Sequence, residues 1–285
     1  MRSEAEVQCV IIHHRQPKSV DKVVHGALSS GIAAQRIIVV DNSPSNDADL
    51  VLPAGVRYAR VANHGYGAAA NLGVRLLEEA DSPAPLTLVA SHEAEVNFEL
   101  LSALLSAMQT HPGAAAAGPT LLLEGSGLVW STGGYFTRFL RRAEHYREID
   151  EAPGEPRDRE WLDGALILYR THLLGQFPFD ESYFLYFEET DLHVRLRKAG
   201  YRILWVPTAV GHQASSGIPP RLLGRNTLLF QSRHFSAWTG RAALIFAVGR
   251  AFARKLVTGR GSWRDSQQII AGWLSAEKEL RKRNI

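Results

Sequence analysis

Glu188, Glu189 and Asp191 put three carboxylates within four residues, directly behind the run Phe184, Leu185, Tyr186, Phe187. From Thr190 onward Leu192, Arg195, Leu196 and Ala199 follow helical spacing and Gly200 suits a C-cap, so the carboxylates occupy a helix N-terminus. The helix dipole favours negative charge there, and most acidic first turns are structural. The aromatic neighbours add something a plain cap lacks. Partial desolvation raises a carboxyl pKa toward the range in which a general base operates.

These side chains need a scaffold. Short apolar runs at 7–12, 36–40, 56–61 and 86–90 read as strands, the first two as buried parallel ones. Helices are expected over 18–31 and 97–111, the latter with Leu100, Leu101, Leu104, Leu105 and Met108 as a core stripe. Open α/β sheets bind ligands at the carboxyl ends of their strands. The first strand delivers His13, His14 and Arg15 to that edge, where they are candidates to contact a nucleotide, and the second delivers Asp41, Asn42 and Ser43. The strand at 86–90 leads into Ser91, His92, Glu93, Ala94 and Glu95. By residue type alone the 41–43 turn reads equally well as a polar strand-to-loop turn, while the 93–95 segment reads as a solvated loop and His212 as incidental. Gly65, Gly67 and the alanines after them let a backbone approach a ligand and open a helix whose amides suit an anion, without the spacing of a dinucleotide fingerprint or a P-loop. Further strands are expected over 114–123 and 128–136, a polar acceptor-side loop or flap over 139–158, and a returning strand over 203–206 that Pro207 ends.

The block GALILYRTHLLGQFPFDESYFLYFEETDLHVRLRKAGYRILWVPTAVGH, residues 164–212, resembles the inverting family-2 glycosyltransferases, in particular their rhamnosyltransferase-like branch. That family carries a Gly-Ala-aliphatic-Arg stretch, then Phe-Asp-Glu, a Glu-Asp-x-Asp-Leu segment running into Arg-Leu-Arg-x-x-Gly-Tyr, and a histidine after a Val-Pro strand. The resemblance implies an α/β fold of the GT-A (Rossmann-like) type, a mixed, mainly parallel sheet flanked by helices, with a C-terminal helical extension. Residues 1–215 would form the nucleotide-sugar-binding catalytic domain and 216–285 a basic helical region.

The resemblance also assigns roles. Glu189 aligns with the catalytic carboxylate, and Glu188 and Asp191 orient it or cap the helix. Asp41-Asn42-Ser43 is similar to the turn that lies against base and ribose. Residues 63–73 are similar to an Asn-x-Gly-aromatic-Gly-x-x-x-Asn-x-Gly segment, which makes Asn63 and Gly67 donor contacts and Asn71 a diphosphate or ribose contact. Glu93 and Glu95 stand where the family holds Mg2+ or Mn2+ with an Asp-containing motif. They have the right charge and one methylene too many, so either they still hold the cation or His92 and basic neighbours share in the neutralisation. Trp161 and Asp163 open a turn that lines the donor sugar and acceptor cleft, Asp163 for a sugar hydroxyl and Trp161 as a platform for a sugar's C–H face. His212 matches a histidine that approaches the cation or diphosphate.

Composition narrows the rest. Cys9 is the single cysteine, which leaves no disulfide framework or cysteine-ligated metal and suits a reducing, cytoplasmic compartment. Neither a secretory signal nor an apolar run long enough to span a membrane is visible. The net charge of +3 conceals an asymmetry, since residues 216–285 hold 13 Lys and Arg against 3 Asp and Glu. Helices are expected there over 221–238, 241–257 and 263–283, with breaks near Gly240 and at 259–261, and with Ile245, Val248, Phe252 and Leu256 as an apolar stripe. Such helices lie on a membrane surface, pack on a second subunit in a homodimer, or cover the catalytic domain. Nucleic-acid binding is not expected, because the interleaved aromatics of a recognition module are missing.

The expected activity is transfer of a sugar from a nucleoside diphosphate sugar, dTDP- or UDP-linked in preference, to a hydroxyl or amine of a glycan, lipid-linked or natural-product acceptor. The alternative is a nucleotide-sugar-binding protein of the same fold that has lost its chemistry.

Overall fold

The computed structural model describes residues 6–44, 47, 50–79, 83–148, 154–214, 217–258 and 263–283. The chain divides into two compact units. One comprises Met1–Tyr135, His145–Phe184 and Glu188–Ser215, the other Phe136–Glu144, Leu185–Phe187 and Ser216–Ile285.

Among the described residues the first unit is built on a nine-stranded sheet. β1 (Val7–His13), β2 (Ile37–Asp41), β3 (Arg57–Arg60) and β4 (Leu86–Ser91) run parallel in the order β3-β2-β1-β4. β5 (Ala114–Leu123) carries β6 (Val129–Ser131) antiparallel on it, and β7 (Gly134–Phe136) pairs with β8 (Ala143–His145) in a separate ribbon. The main sheet continues from β4 through β10 (Leu166–Arg170), β5 and β11 (Arg202–Gln213) to β9 (Arg157–Asp158). β10 is antiparallel to both its neighbours and β11 is parallel to β5. The fold is therefore α/β with a mixed, mainly parallel sheet.

Side-chain alternation in the strands splits the core in two. Cys9 and Ile11 of β1, Ile37 and Val39 of β2 and Leu88 of β4 pack under α1 (Pro17–Ser29) and α3 (Phe98–Thr110). Val10, Ile12, Ile38, Val40 and Val89 face the other layer, α2 (Tyr66–Glu78), α4 (Thr171–Gln176) and α5 (Glu188–Lys198). With helices on both faces the central strands are mostly apolar up to their carboxyl ends, Gln8 of β1 and Thr87 of β4 being bonded to each other, which is why they read as near-continuous runs. Burial pushes the Cys9 thiol up to about 12, so it behaves as a small core hydrophobe.

Two strand expectations are corrected. The run at 128–136 is two short strands, because Gly133 takes φ +87° between them. The returning strand does not end at Pro207. β11 absorbs the proline in a register shift between Val206 and Val210 and continues past His212.

In the second unit α6 (Pro220–His234), α7 (Ala237–Thr258) and α8 (Trp263–Arg283) pack together. The helix break falls at Phe235 and Ser236 rather than near Gly240. Gly240 lies inside α7, where a Cβ would come 2.9 Å from Leu228 Cδ1, so it serves close packing on α6. The buried side of α7 is Ala243 and Leu244, and Ile245 and Phe252 of the expected stripe point outward instead. The expected break at 259–261 lies outside the described residues.

Candidate active site

The parallel strands end together. β1 and β2 are in register at His13 and Asp41, and Ile12 of β1 sits opposite Ser91 of β4. Because β10 runs antiparallel to β4, with Leu166 opposite Ala90, the turn that precedes it, residues 161–165, arrives at the same edge. Ser91 N–H donates to the Ala165 carbonyl across 2.9 Å, which fixes that arrival.

Asp41 is fully buried. Its Oδ1 accepts from His13 Nδ1 (2.9 Å) and Ser43 N (2.9 Å), and its Oδ2 from Tyr58 Oη (2.8 Å). Burial works to raise its pKa, but the hydrogen bonds from Ser43, Tyr58 and His13 together outweigh that and hold it below the usual carboxylate range. His13 Nε2 accepts the Gln16 N–H (2.9 Å), so the ring proton sits on Nδ1 and faces Asp41. His14 Nδ1 lies 3.1 Å from the Asn42 Oδ1, and Arg15, at φ 57°, donates its N–H to Ser43 Oγ (2.8 Å). Asp41 thus organises this corner from inside, while the Arg15 guanidinium is largely exposed beside Asp47.

The glycine segment is pinned differently from a phosphate loop. Asn63 Oδ1 accepts the Gly65 N–H (3.0 Å), and the Tyr66 N–H donates to the Phe184 carbonyl (2.7 Å). Gly65 takes φ +101° with Phe184 O only 2.0 Å from where a Cβ would stand, so no other residue fits. Gly67 packs against the Phe179 and Glu188 side chains. Asn71 spends both ends of its amide on the Phe179 backbone (2.9 Å each way), clamping α2 to the segment that leads into α5.

The acidic end of α5 separates into three environments. Asp191 is buried and structural, accepting from Arg195 Nε (2.7 Å) and Tyr183 Oη (3.3 Å). Glu188 is buried beside Gly67 with no hydrogen-bond partner on Oε2 among the described residues, and burial followed by the Glu189 charge raises its pKa well above the usual range. Glu189 is partly exposed and lies against Gly164. Burial, then the charge of Asp163, raises it to about 7. A carboxyl poised there suits proton abstraction at neutral pH.

Asp163 supplies that charge. Burial works to raise its pKa, but hydrogen bonds and charge from His145 (3.2 Å) and the indole N–H of Trp130 (2.8 Å) hold it down. Trp161 is only 4% exposed, with Gly134 under its ring and His145 edge-on at 4.7 Å, so in place of an open sugar platform it supports the turn from beneath. Tyr66 Oη donates to the Gly164 carbonyl (2.8 Å), and His193 Nδ1 accepts the Leu162 N–H (3.1 Å). Trp130 and His145 lie outside any motif, and Tyr66 and His193 lie inside quoted segments without a role there, so the contacts with Asp163 and the 161–164 turn are what reveal all four.

Glu95 and His212 meet, with Oε2 and Nδ1 2.5 Å apart, and the Glu95 N–H donates to the His212 carbonyl (3.0 Å). Glu93 lies instead beside His92, at 3.9 Å. Among the described residues no three His, Cys, Asp or Glu side chains gather as a metal site. Glu95 and His212 bring one carboxylate and one imidazole together at this edge, hydrogen-bonded to each other, and both are side-chain types that ligate divalent cations.

A mixed, mainly parallel sheet with helices on both faces is the fold of the GT-A glycosyltransferases, which the solved structures below share. No protein-family model matches the chain. The N-acetylglucosaminyl-diphospho-decaprenol L-rhamnosyltransferase of Mycobacterium tuberculosis is 30% identical over 277 aligned positions, covering 84% of this chain and 89% of that protein. The chain belongs to the inverting family-2 glycosyltransferases, in their rhamnosyltransferase-like branch. Solved structures share the fold. GalNAc-T7 with UDP, GalNAc and Mn2+ has TM-score 0.60 at 12% identity, over 82% of this chain and 51% of that one. The mannosyltransferase PcManGT from Pyrobaculum calidifontis with GDP-Man and Mn2+ has TM-score 0.56 at 12% identity, over 96% and 88%. S. aureus TarS 1-349 in complex with UDP has TM-score 0.55 at 14% identity, over 94% and 78%.

Proposed function

We propose that this glycosyltransferase moves a deoxyhexose of the rhamnose kind from dTDP or UDP to a hydroxyl of a lipid-linked glycan, by one displacement with inversion. The acceptor class follows the relative's lipid-linked substrate. The observation that carries the mechanism is Glu189, raised to about 7 while packed on Gly164 next to Asp163.

In this reading Glu189 takes the acceptor hydroxyl proton as that oxygen bonds to the anomeric carbon, and the bond from that carbon to the diphosphate oxygen breaks on the opposite side. Asp163 holds a sugar or acceptor hydroxyl while keeping Glu189 basic. The 13–15 and 41–43 turns shape the nucleotide end, with Arg15 toward the phosphates. A divalent cation, when bound, neutralises charge on the departing diphosphate. Glu95 and His212 would hold it, and Glu93 would stand outside its shell. The inactive binding-protein reading draws on that last feature, since only one of the two glutamates meets His212, and measurable turnover removes it.

The test is donor screening by thermal shift with dTDP-, UDP- and GDP-sugars and Mn2+, followed by NMR of the product formed from the best donor. Stabilisation by a dTDP- or UDP-sugar and a product of inverted anomeric configuration are expected. Retention of configuration, or the absence of transfer, would overturn the proposal.

A further inference from the structure

The second unit presents a row of exposed apolar side chains on two of its helices. On α7, Trp238, Ile245 and Phe252 recur every seven residues, which is about two helical turns, and so share one face. They point outward, Trp238 at 73% and Ile245 at 64% exposure, while Ala243 and Leu244 on the opposite side are buried. On α8 the same holds for Trp263, Ile270 and Leu274, with Ser266, Ile269 and Ala276 turned inward. The rings of Phe252 and Trp263 meet edge to face at 4.8 Å, which joins the two rows into one patch. Arg250 is exposed beside the patch, and Lys278 and Arg281 continue the outward face of α8 beyond Leu274.

We propose that this α7–α8 face seats on an anionic lipid bilayer, its aromatic and aliphatic side chains entering the headgroup boundary and its basic residues meeting the lipid phosphates. The charge decides between occupants. Residues 216–285 carry 13 Lys and Arg against 3 Asp and Glu, so a second copy docked on the same face would bring two strongly basic surfaces together, whereas an anionic leaflet is complementary. Tryptophan with basic residues on an amphipathic helix is the composition that lies in the interfacial plane. Crossing is not involved, since no helix among the described residues is long and apolar enough to span a membrane. The inference rests on this unit's own surface and holds whichever sugar is transferred.

The experiment is vesicle flotation of the full chain, with phosphatidylcholine alone and with roughly one third phosphatidylglycerol. Binding to the mixed vesicles is expected, weakened by about tenfold on phosphatidylcholine alone and weakened again by high salt. Ile245→Glu with Phe252→Glu should cut binding by roughly tenfold or more while the helical circular-dichroism signal is retained. Arg250→Glu with Lys278→Glu should weaken binding to the mixed vesicles only. No vesicle binding, binding equal on both lipids, or full binding by the Ile245/Phe252 variant would overturn the proposal. So would a wild-type dimer that this variant turns into a monomer, which assigns the face to a second copy.

Discussion

Glu189 packs directly on Gly164, so closely that a methyl group on the glycine would lie 3.2 Å from Glu189 Cγ and 3.4 Å from its carboxyl carbon. The next residue back, Asp163, is the charged group that helps burial raise Glu189 to about 7. A base must be ionised to act, so turnover should rise as pH passes through about 7 and then level. Asp163→Asn removes the opposing negative charge, lowers the Glu189 pKa and moves the acidic limb of the profile to lower pH. A limb that stays in place would separate the two residues.

His193, one turn along α5 from Glu189, ties that helix to the turn carrying Asp163. Leu162 N–H can only donate, so Nδ1 accepts and the proton rests on Nε2, which faces Tyr169 Oη at 3.0 Å. Burial, then the Arg195 charge, pushes the imidazole down to about 3, so it stays neutral at working pH. His193→Phe leaves both partners buried and unpaired, at about 1–3 kcal/mol each. A urea midpoint unchanged by this substitution would contradict the tie.

Two of the three residues preceding α5 hold an uncommon backbone. Tyr186 and Phe187 take φ 68° and 75°, close behind Phe184 at 67°, a region bulky side chains rarely visit. Asn226, fully buried on α6, donates to the carbonyls of both Leu185 and Tyr186 (2.9 Å each). Asn226→Ala should let this strap relax and lower kcat by about tenfold or more, with the donor KM little changed. Equal loss in donor affinity would point to general unfolding.

The cation site gives a sharper contrast. Glu95→Gln and His212→Ala should each raise the Mn2+ concentration for half activity by roughly tenfold or more, whereas Glu93→Gln should leave it near the wild-type value. EDTA titrations of the four proteins measure this, and a Glu93 effect as large as that of Glu95 would contradict the arrangement.

The sheet was legible because strands covered on both faces are near-continuous apolar runs, and the carboxyl-edge turns followed from where those runs stop. What the residues alone withheld were the links made across the fold. Tyr58 reaches Asp41 from β3, Trp130 and His145 reach Asp163 from beyond β5, and each is a lone polar or aromatic residue in an unremarkable stretch. Trp161 misled because a tryptophan beside an acid has the composition of a sugar platform, while Gly134 makes room for it beneath the turn. The Ile245 and Phe252 stripe on α7 misled in the opposite sense. Its helical period was real, but the glycine and alanine side of the helix is the one that packs.

The most direct measurement concerns Glu189→Gln, by single-turnover transfer alongside calorimetric donor binding. A loss of about 10²–10⁴-fold in the transfer rate is expected, with donor affinity within a few-fold of wild type. The melting curves carry an independent sign. A carboxyl raised to about 7 in the fold favours the protein below its ordinary range near 4.5, and that stabilisation is lost as pH rises through about 7. Relative to wild type, the Gln variant should therefore gain stability between pH 5 and 8. Wild-type transfer rates in Glu189→Gln would contradict the account.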